Sequence, residues 1–348
     1  MLIWRKAHKE DNKMEFGCTS FAWDTLDNKH LLGRTYDQYG DLKANKVILV
    51  PKNAVCKTVL NNDENRSYPG KHAYTGMAVL GLEEPVIVDG INDSGLMGAL
   101  LHFPGFAEYP QEIQDGKVVV HPGRFLAYVL SQFDSVENLC SHIEEIEIKD
   151  ELIMGQPTQA HYIVSDESGE AVIIEPVSGK LNVYRNSTGV MANSPDYSWH
   201  KTNLRNYVGV NNLGHDPRMV NGLEIKEFGA GIGGGFGLPG GYASPDRFVR
   251  MSFVKEFTVK GKNEIDGISR MFKAFAPVDI PQGLIKAHPD YEAYEMTLCM
   301  TAMCAESRTY YYTPAENRRI KAVRLMDKID AEEMLTFDIG ETEDILYL

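Results

Sequence analysis

One period-2 run with a thiol at its head constrains this chain most. In Gly17-Cys18-Thr19-Ser20-Phe21-Ala22-Trp23-Asp24 the side chains Thr19, Phe21 and Trp23 recur at every second position, as in a strand with one face on a core. A turn at Asp27-Asn28 leads into a second apolar run, Leu31 to Tyr36, so the two runs are expected to pair as a hairpin. Pairing returns Arg34 and Asp37 to the neighbourhood of Cys18. A chain that opens this way is committed to an antiparallel sheet at its start.

The three residues have a shared chemistry if Cys18 becomes an N-terminus. A thiol with a pKa near ~8.5 is mostly protonated at neutral pH, whereas a free α-amine with a pKa of about 7.7 to 8.0 is a base carried by the same residue. Cleavage before Cys18 would create nucleophile and base together. Arg34 would favour the thiolate by Coulomb attraction, and Asp37 would hold the new amine. The same residues also fit a buried free cysteine on a strand with an ordinary Arg and Asp in its partner, and the spacing alone leaves both readings open.

Six segments, in order across nearly the whole chain, carry a resemblance: GCTSFAWDT, LLGRTYDQYGDL, DGINDSGLMGALLHFPGFAEY, GVMANSPDYSWHKTNLRNY, GLPGGYASPDRFVR and TAMCAESRTYYY. Together they resemble the choloylglycine hydrolase and penicillin V acylase family of N-terminal nucleophile hydrolases. The resemblance implies an α+β fold, an αββα four-layer sandwich of two antiparallel sheets between helix layers. It also implies that Cys18 is the nucleophile and Asp37 the anchor of the α-amine. Asn193 in the NSP segment would offer its amide to the oxyanion, and Arg34 with Arg247 of the SPxRF segment would stabilise charge around the thiol. In LHFPG, His102 stands where bile-salt hydrolases usually have Asn and penicillin V acylases often have Tyr. Its backbone N–H remains a candidate oxyanion donor, while its side chain breaks the family pattern. By likeness of NSPDYSWHKTNL, the chain is placed nearer the penicillin V acylases, with conjugated bile-salt hydrolysis as the alternative.

Each of these residues also has an ordinary reading: a surface ion pair, a strand-end Asn turn, a loop histidine. For Arg247 that reading is weak, because a cation in the first turn of a helix opposes the macrodipole. Phe21, Trp23, Phe103 and Phe106 are the aromatic candidates for contact with substrate. The last two ride on the Pro-Gly loop FPGFAEY and fit equally well as staples of that loop to the core.

Composition excludes more than it assigns. With 348 residues, 43% of them hydrophobic, the chain can bury a large core, and nothing in it reads as a linker. Residues 1–17 are expected to be a leader or propeptide and residues 18–348 a single domain. A formal charge of −14 argues against nucleic acid or an anionic membrane as partner, because phosphate binding needs a basic face. Cysteines 18, 56, 140, 299 and 304 are odd in number and scattered, which is no disulfide framework and fits a cytoplasmic location. The leader lacks the apolar segment of a secretory signal, and no run of about 18 apolar residues is present. No HExxH or CxxC spacing occurs, so neither metal nor cofactor is expected. Gly229, Gly231 and Gly234 satisfy GxGxxG formally, but Pro239 and further glycines follow where a helix would be needed, so a dinucleotide reading ranks last.

The expected strands are at about 18–24, 30–36, 46–50, two runs between Val86 and Phe103, a hairpin turning at Glu167-Ser168-Gly169, and a return to strands after Tyr294. Between them stand helices capped by Asp134 and by Ser244-Pro245. The stretch from Tyr197 to Glu227 is long for a free loop and is expected to pack on a neighbouring subunit of a homotetramer, as such excursions do in the family the chain resembles. The expected function is hydrolysis of a small linear amide by an autoprocessed enzyme. From another class, the expectation is a non-catalytic amide-binding protein with Cys18 internal.

Overall fold

The computed structural model describes residues 17–59, 66–82, 84–150, 152, 156–228, 233–286, 292–340 and 342–348. The expected leader up to residue 16, the tip of the surface loop at 61–65, and Gly229 and Gly231 of the glycine run lie outside them.

The hairpin forms as β1 (Cys18–Asp24) and β2 (His30–Tyr39), and it is followed by β3 (Asn45–Val50), β4 (Tyr74–Val79), β5 (Val86–Asn92) and β6 (Met97–His102). A helix pair, α1 (Phe125–Gln132) and α2 (Val136–His142), precedes β7 (Ala160–Ser165), β8 (Ala171–Val177), β9 (Lys180–Tyr184) and β10 (Val190–Met191). Then come α3 (Tyr197–Asn203), α4 (Ser244–Phe257), α5 (Glu264–Ala274), β11 (Tyr294–Cys304), β12 (Thr309–Pro314), β13 (Lys321–Arg324) and β14 (Leu335–Phe337). One sheet runs β10-β1-β2-β11-β12-β13, with a short strand, Ile285–Lys286, also on β11. The other runs β9-β8-β7-β6-β5-β4-β3-β14, and every pairing in both is antiparallel.

Alternation along β7 shows how the layers stack. Tyr162 and Val164 join the cluster of Phe125, Val129 and Leu139 on α1 and α2, while Ile163 faces the other way, into a cluster with Phe21, Leu32 and Met97. Both faces of this sheet are therefore covered, which is why β4 to β8 are buried along most of their length although they are antiparallel. On the far side, α4 packs on β1 and β10, and α5 on β2 and β11. The order is helix, sheet, sheet, helix, the four-layer sandwich. Gly33 on β2 lets α5 come close, because a Cβ there would lie 2.6 Å from Met271 Sδ and 2.9 Å from the Thr301 carbonyl oxygen.

Two expected caps shift. Ser135, not Asp134, caps α2, its hydroxyl accepting from Asn138 N at 3.2 Å, while Asp134 Oδ1 accepts from Ser135 Oγ and Asn138 Nδ2. Helix α4 begins at Ser244 with Ala243 in the cap position, so no side chain caps it, and the Ser244 hydroxyl accepts from Asn193 N. A short helix is expected over Trp199 to Tyr207 and α3 lies there, but Asn211 to Glu227, expected to be irregular, contains an exposed two-stranded ribbon, Arg218–Val220 with Leu223–Ile225.

Candidate active site

Register decides which side chains meet. Cys18 pairs with Tyr36 and Ser20 with Arg34, so Cys18 and Arg34 emerge on the same face of the first sheet, toward the second. Arg34 is 1% exposed and donates from Nη2 to Cys18 Sγ at 2.7 Å. Its other donors are occupied: Nε by the Thr35 carbonyl at 3.1 Å and Nη1 by the Val88 carbonyl of the second sheet at 3.1 Å. The guanidinium also lies 4.7 Å from the Tyr36 ring centroid. Burial pushes the Cys18 thiol above its ordinary range, and Arg34 works against that shift.

The opposite face of the hairpin supplies the second set of groups. Asp37 sits there fully buried, accepting from Thr297 Oγ1 at 2.7 Å and Thr35 Oγ1 at 3.0 Å. Burial raises its pKa to about 6 against the pull of Arg247. Its backbone N–H donates to the Gly17 carbonyl at 3.2 Å, and Gly17 N donates in turn to Glu295 Oε1. A Cβ on Gly17 would lie 2.5 Å from that Glu295 oxygen, so the position suits a residue without a side chain.

Arg247, in the first turn of α4, spends its charge on the site and not on the helix. It donates to the Cys18 carbonyl, to Thr19 Oγ1 at 2.6 Å and to Asn193 Oδ1 at 2.6 Å. The same Asn193 oxygen accepts from Cys18 N at 2.8 Å, and Asn193 Nδ2 donates to the His102 carbonyl at 2.7 Å. Two donors on the oxygen and a carbonyl on the nitrogen fix which way the amide points.

Asn193 is itself held from several sides. Its N–H donates to Ser244 Oγ at 2.9 Å, and its carbonyl accepts from His200 Nε2 at 2.9 Å. One residue earlier, the Ala192 carbonyl accepts from His161 Nε2 at 2.9 Å. Burial lowers the pKa of His200 to about 4, so it holds this carbonyl as a neutral ring. None of Ser244, His161 and His200 stood out as a support in the sequence, since a lone His or Ser has no spacing that marks it.

The structure brings Cys18, Arg34, Asp37, Asn193 and Arg247 together. His102 lies beside them, with its carbonyl accepting from Asn193 Nδ2, and burial pushes its imidazole pKa down to about 4. Of the aromatic candidates, Phe106 is 38% exposed and lines a cavity of about 710 Å³ with Gly17, Tyr242, Leu284, Ile285 and Glu295, beside Asn193 and Arg247. Phe103 is fully buried and stacked on His161 at 4.3 Å, a staple of the loop.

Phe21 and Trp23 are corrected. They lie an odd number of residues from Cys18 and so face the helix layer, where Phe21 meets Phe275 at 4.9 Å. They are core residues. Cys299 and Cys304 are buried strand thiols, the latter pushed up to about 12 by burial, and neither joins the site. No group of three metal-binding side chains occurs among the described residues.

The profile of the linear amide C–N hydrolases, choloylglycine hydrolase family, matches residues 18–337. The bile salt hydrolase/transferase of Clostridium perfringens is 30% identical over 332 residues, 94% of this chain and 98% of the relative. The penicillin V acylase of Pectobacterium atrosepticum is 26% identical over 284 residues, 74% of this chain and 68% of the relative. Among solved structures, a conjugated bile acid hydrolase from C. perfringens superposes with a TM-score of 0.85 at 30% identity, covering 95% of this chain and 99% of the other. A penicillin V acylase from Agrobacterium tumefaciens reaches 0.73 at 21% identity, covering 93% and 92%, a likeness of fold. With its αββα sandwich and a family match that begins at Cys18, the chain belongs to the choloylglycine hydrolase family of linear amide C–N hydrolases.

Proposed function

We propose that this enzyme hydrolyses the amide of a conjugated bile salt, with Cys18 as nucleophile freed by cleavage after Gly17. The observation that carries the chemistry is the pairing of Arg34 Nη2 with Cys18 Sγ at 2.7 Å, with the Cys18 nitrogen 2.8 Å from Asn193 Oδ1. The substrate choice reverses the expectation drawn from the NSPDYSWHKTNL segment. Its support is the 30% identity to a bile salt hydrolase over almost the whole of both chains, against 26% over three quarters of this chain for a penicillin V acylase.

While Gly17 precedes it, the Cys18 nitrogen is an amide and has no basicity. Cleavage turns it into an amine beside Asn193 Oδ1 and the Asp37 carboxylate. In the hydrolytic cycle that amine takes the thiol proton as sulfur attacks the amide carbonyl. The second Nδ2 proton of Asn193 meets the developing oxyanion, and Arg34 and Arg247 steady the charge. The leaving amine departs with the proton held on the Cys18 nitrogen, leaving a thioester. Water then attacks the thioester with the same amine as base, releasing the acid and restoring the thiol.

A cytoplasmic location belongs to the proposal, and the five free cysteines support it. Among the described residues, no helix is long and apolar enough to cross a membrane. A homotetramer is proposed from the exposed apolar residues beyond α3, Val208, Leu213, Met219, Leu223 and Phe228. Steady-state assays on glycocholate, taurocholate, penicillin V and N-acyl homoserine lactones side by side test the substrate. Bile-salt kcat/KM is expected to exceed the others by tenfold or more; preference for penicillin V would return the assignment to the acylases, and no turnover of any amide would support a binding protein with Cys18 internal.

A further inference from the structure

Arg34 has an anionic partner besides the thiol. Asp89, on β5 of the second sheet, is fully buried, and its Oδ2 lies 3.6 Å from Arg34 Nη1. Three donors fix that carboxylate: Tyr310 OH at 2.5 Å on Oδ1, Thr301 Oγ1 at 3.1 Å on Oδ2, and the Met77 N–H. Thr301 and Tyr310 stand on β11 and β12 of the sheet that carries Cys18, so Asp89 is a carboxyl of one sheet held in place by the other; burial pushes its pKa up, and Arg34 and these donors work against that shift. It does not line the cavity.

The titratable groups around the thiol and Arg34 are few. From β2 come Arg34, Tyr36 and Asp37, from α4 Arg247, from β5 Asp89, from β11 Glu295 and Cys299, and from β12 Tyr310. Among the described residues the carboxylate paired with Arg34 is that of Asp89, 3.6 Å away, so a neutral Cys18 leaves this guanidinium already matched. Ionising Cys18 then adds a buried charge with no unclaimed partner, which is costly in a low-dielectric interior.

We propose that Asp89 is a positioning residue that sets how readily Cys18 ionises: as standing counter-ion of Arg34, it keeps the thiolate from being the only anion within that cation's reach. Removing the carboxylate charge while keeping its shape leaves Arg34 unbalanced and makes the thiolate its natural partner. The thiol becomes more acidic and, as a weaker base, a weaker nucleophile once ionised. This rests on the reading of Cys18 as the nucleophile.

The test is the pH dependence of Cys18 alkylation by iodoacetamide, located by peptide mass mapping, in processed wild-type enzyme and in Asp89→Asn. The midpoint is expected to fall by about 1 pH unit in the variant, the size of shift that a lost or gained neighbouring charge produces. The plateau kcat should fall about threefold, with KM held within about twofold. An unmoved or raised midpoint, with Cys18 still alkylated and hydrolysis intact, overturns the proposal. Full alkylation of wild-type Cys18 without loss of hydrolysis would instead refute the nucleophile reading beneath it. Should Asp89→Asn not fold, Asp89→Ser removes the same charge with a smaller polar side chain, so the midpoint must again fall; no movement overturns the proposal as well.

Discussion

At the scale of single residues, Asn193 ties the site together, since its amide joins the Cys18 nitrogen, Arg247 and the His102 carbonyl. Asn193→Ala in processed enzyme is expected to lower kcat about 10²- to 10³-fold, the usual loss for one oxyanion donor. The thermal midpoint should fall by only a few degrees for the donors left unpaired, as calorimetry would show; a near-normal kcat removes Asn193 from the chemistry. Asp37 gives a pH test. Its folded pKa of about 6 lies above the ordinary 3.8, so it stabilises the fold below its unfolded pKa and loses that contribution as pH rises through about 6. In the unprocessed Cys18→Ala background, Asp37→Asn should therefore gain in midpoint relative to Asp37 on going from pH 5 to pH 8, and a constant difference contradicts the shift. Cys18, Arg34, Asp37, Asn193 and Arg247 were legible because each falls in a motif segment of the family. Phe21 and Trp23 were misread although the period-2 pattern already set them opposite Cys18. Asp89 escaped because a lone acid in an apolar run carries no spacing signal, and only register brings it to Arg34.

Elements were legible where a period and a turn coincided. Strand β1 lies at Cys18–Asp24 as expected, and the Glu167-Ser168-Gly169 turn joins β7 and β8. Strand β2 runs three residues further than expected, to Tyr39, because β11 continues to pair with it past Asp37. The stacking of the two sheets was not legible, since strands buried on both faces do not alternate and the layer order came only through the resemblance. Ser244 matched a cap pattern, yet Ala243 takes the cap position and the Ser244 hydroxyl serves Asn193, a long-range partner that local reading cannot weigh. The contact between β2 and α5 is testable at Gly33. Gly33→Ala places a methyl 2.9 Å from the Thr301 carbonyl oxygen and 2.6 Å from Met271 Sδ, and overpacking of this kind costs about 1–3 kcal/mol. Gly209→Ala, whose Cβ meets nothing within 4 Å, should be near neutral in the same urea titration. Equal effects would deny the close approach of α5.

For the whole molecule, the apolar groups beyond α3 are the unexplained surface: Leu223 is 66% exposed and Phe228 fully so. Light scattering at micromolar concentration is expected to give a tetramer, and Leu223→Glu is expected to dissociate it; a wild-type monomer contradicts the assembly. The proposed maturation belongs to this scale too. Gly17 and Cys18 sit with the thiol, Arg34, Asp37 and Arg247 all assembled, so the Cys18 sulfur, the nucleophile of the proposed mechanism, is the group available to attack the Gly17 carbonyl, whose oxygen accepts from Asp37 N. Cys18→Ser should slow processing and Cys18→Ala stop it, with hydrolysis lost in both. The most direct measurement is the intact mass of freshly purified, active protein, taken alongside its specific activity. A chain beginning at Cys18, with activity rising in step with loss of residues 1–17, is the predicted result; a fully active enzyme still carrying Met1 to Gly17 would contradict the N-terminal nucleophile mechanism outright.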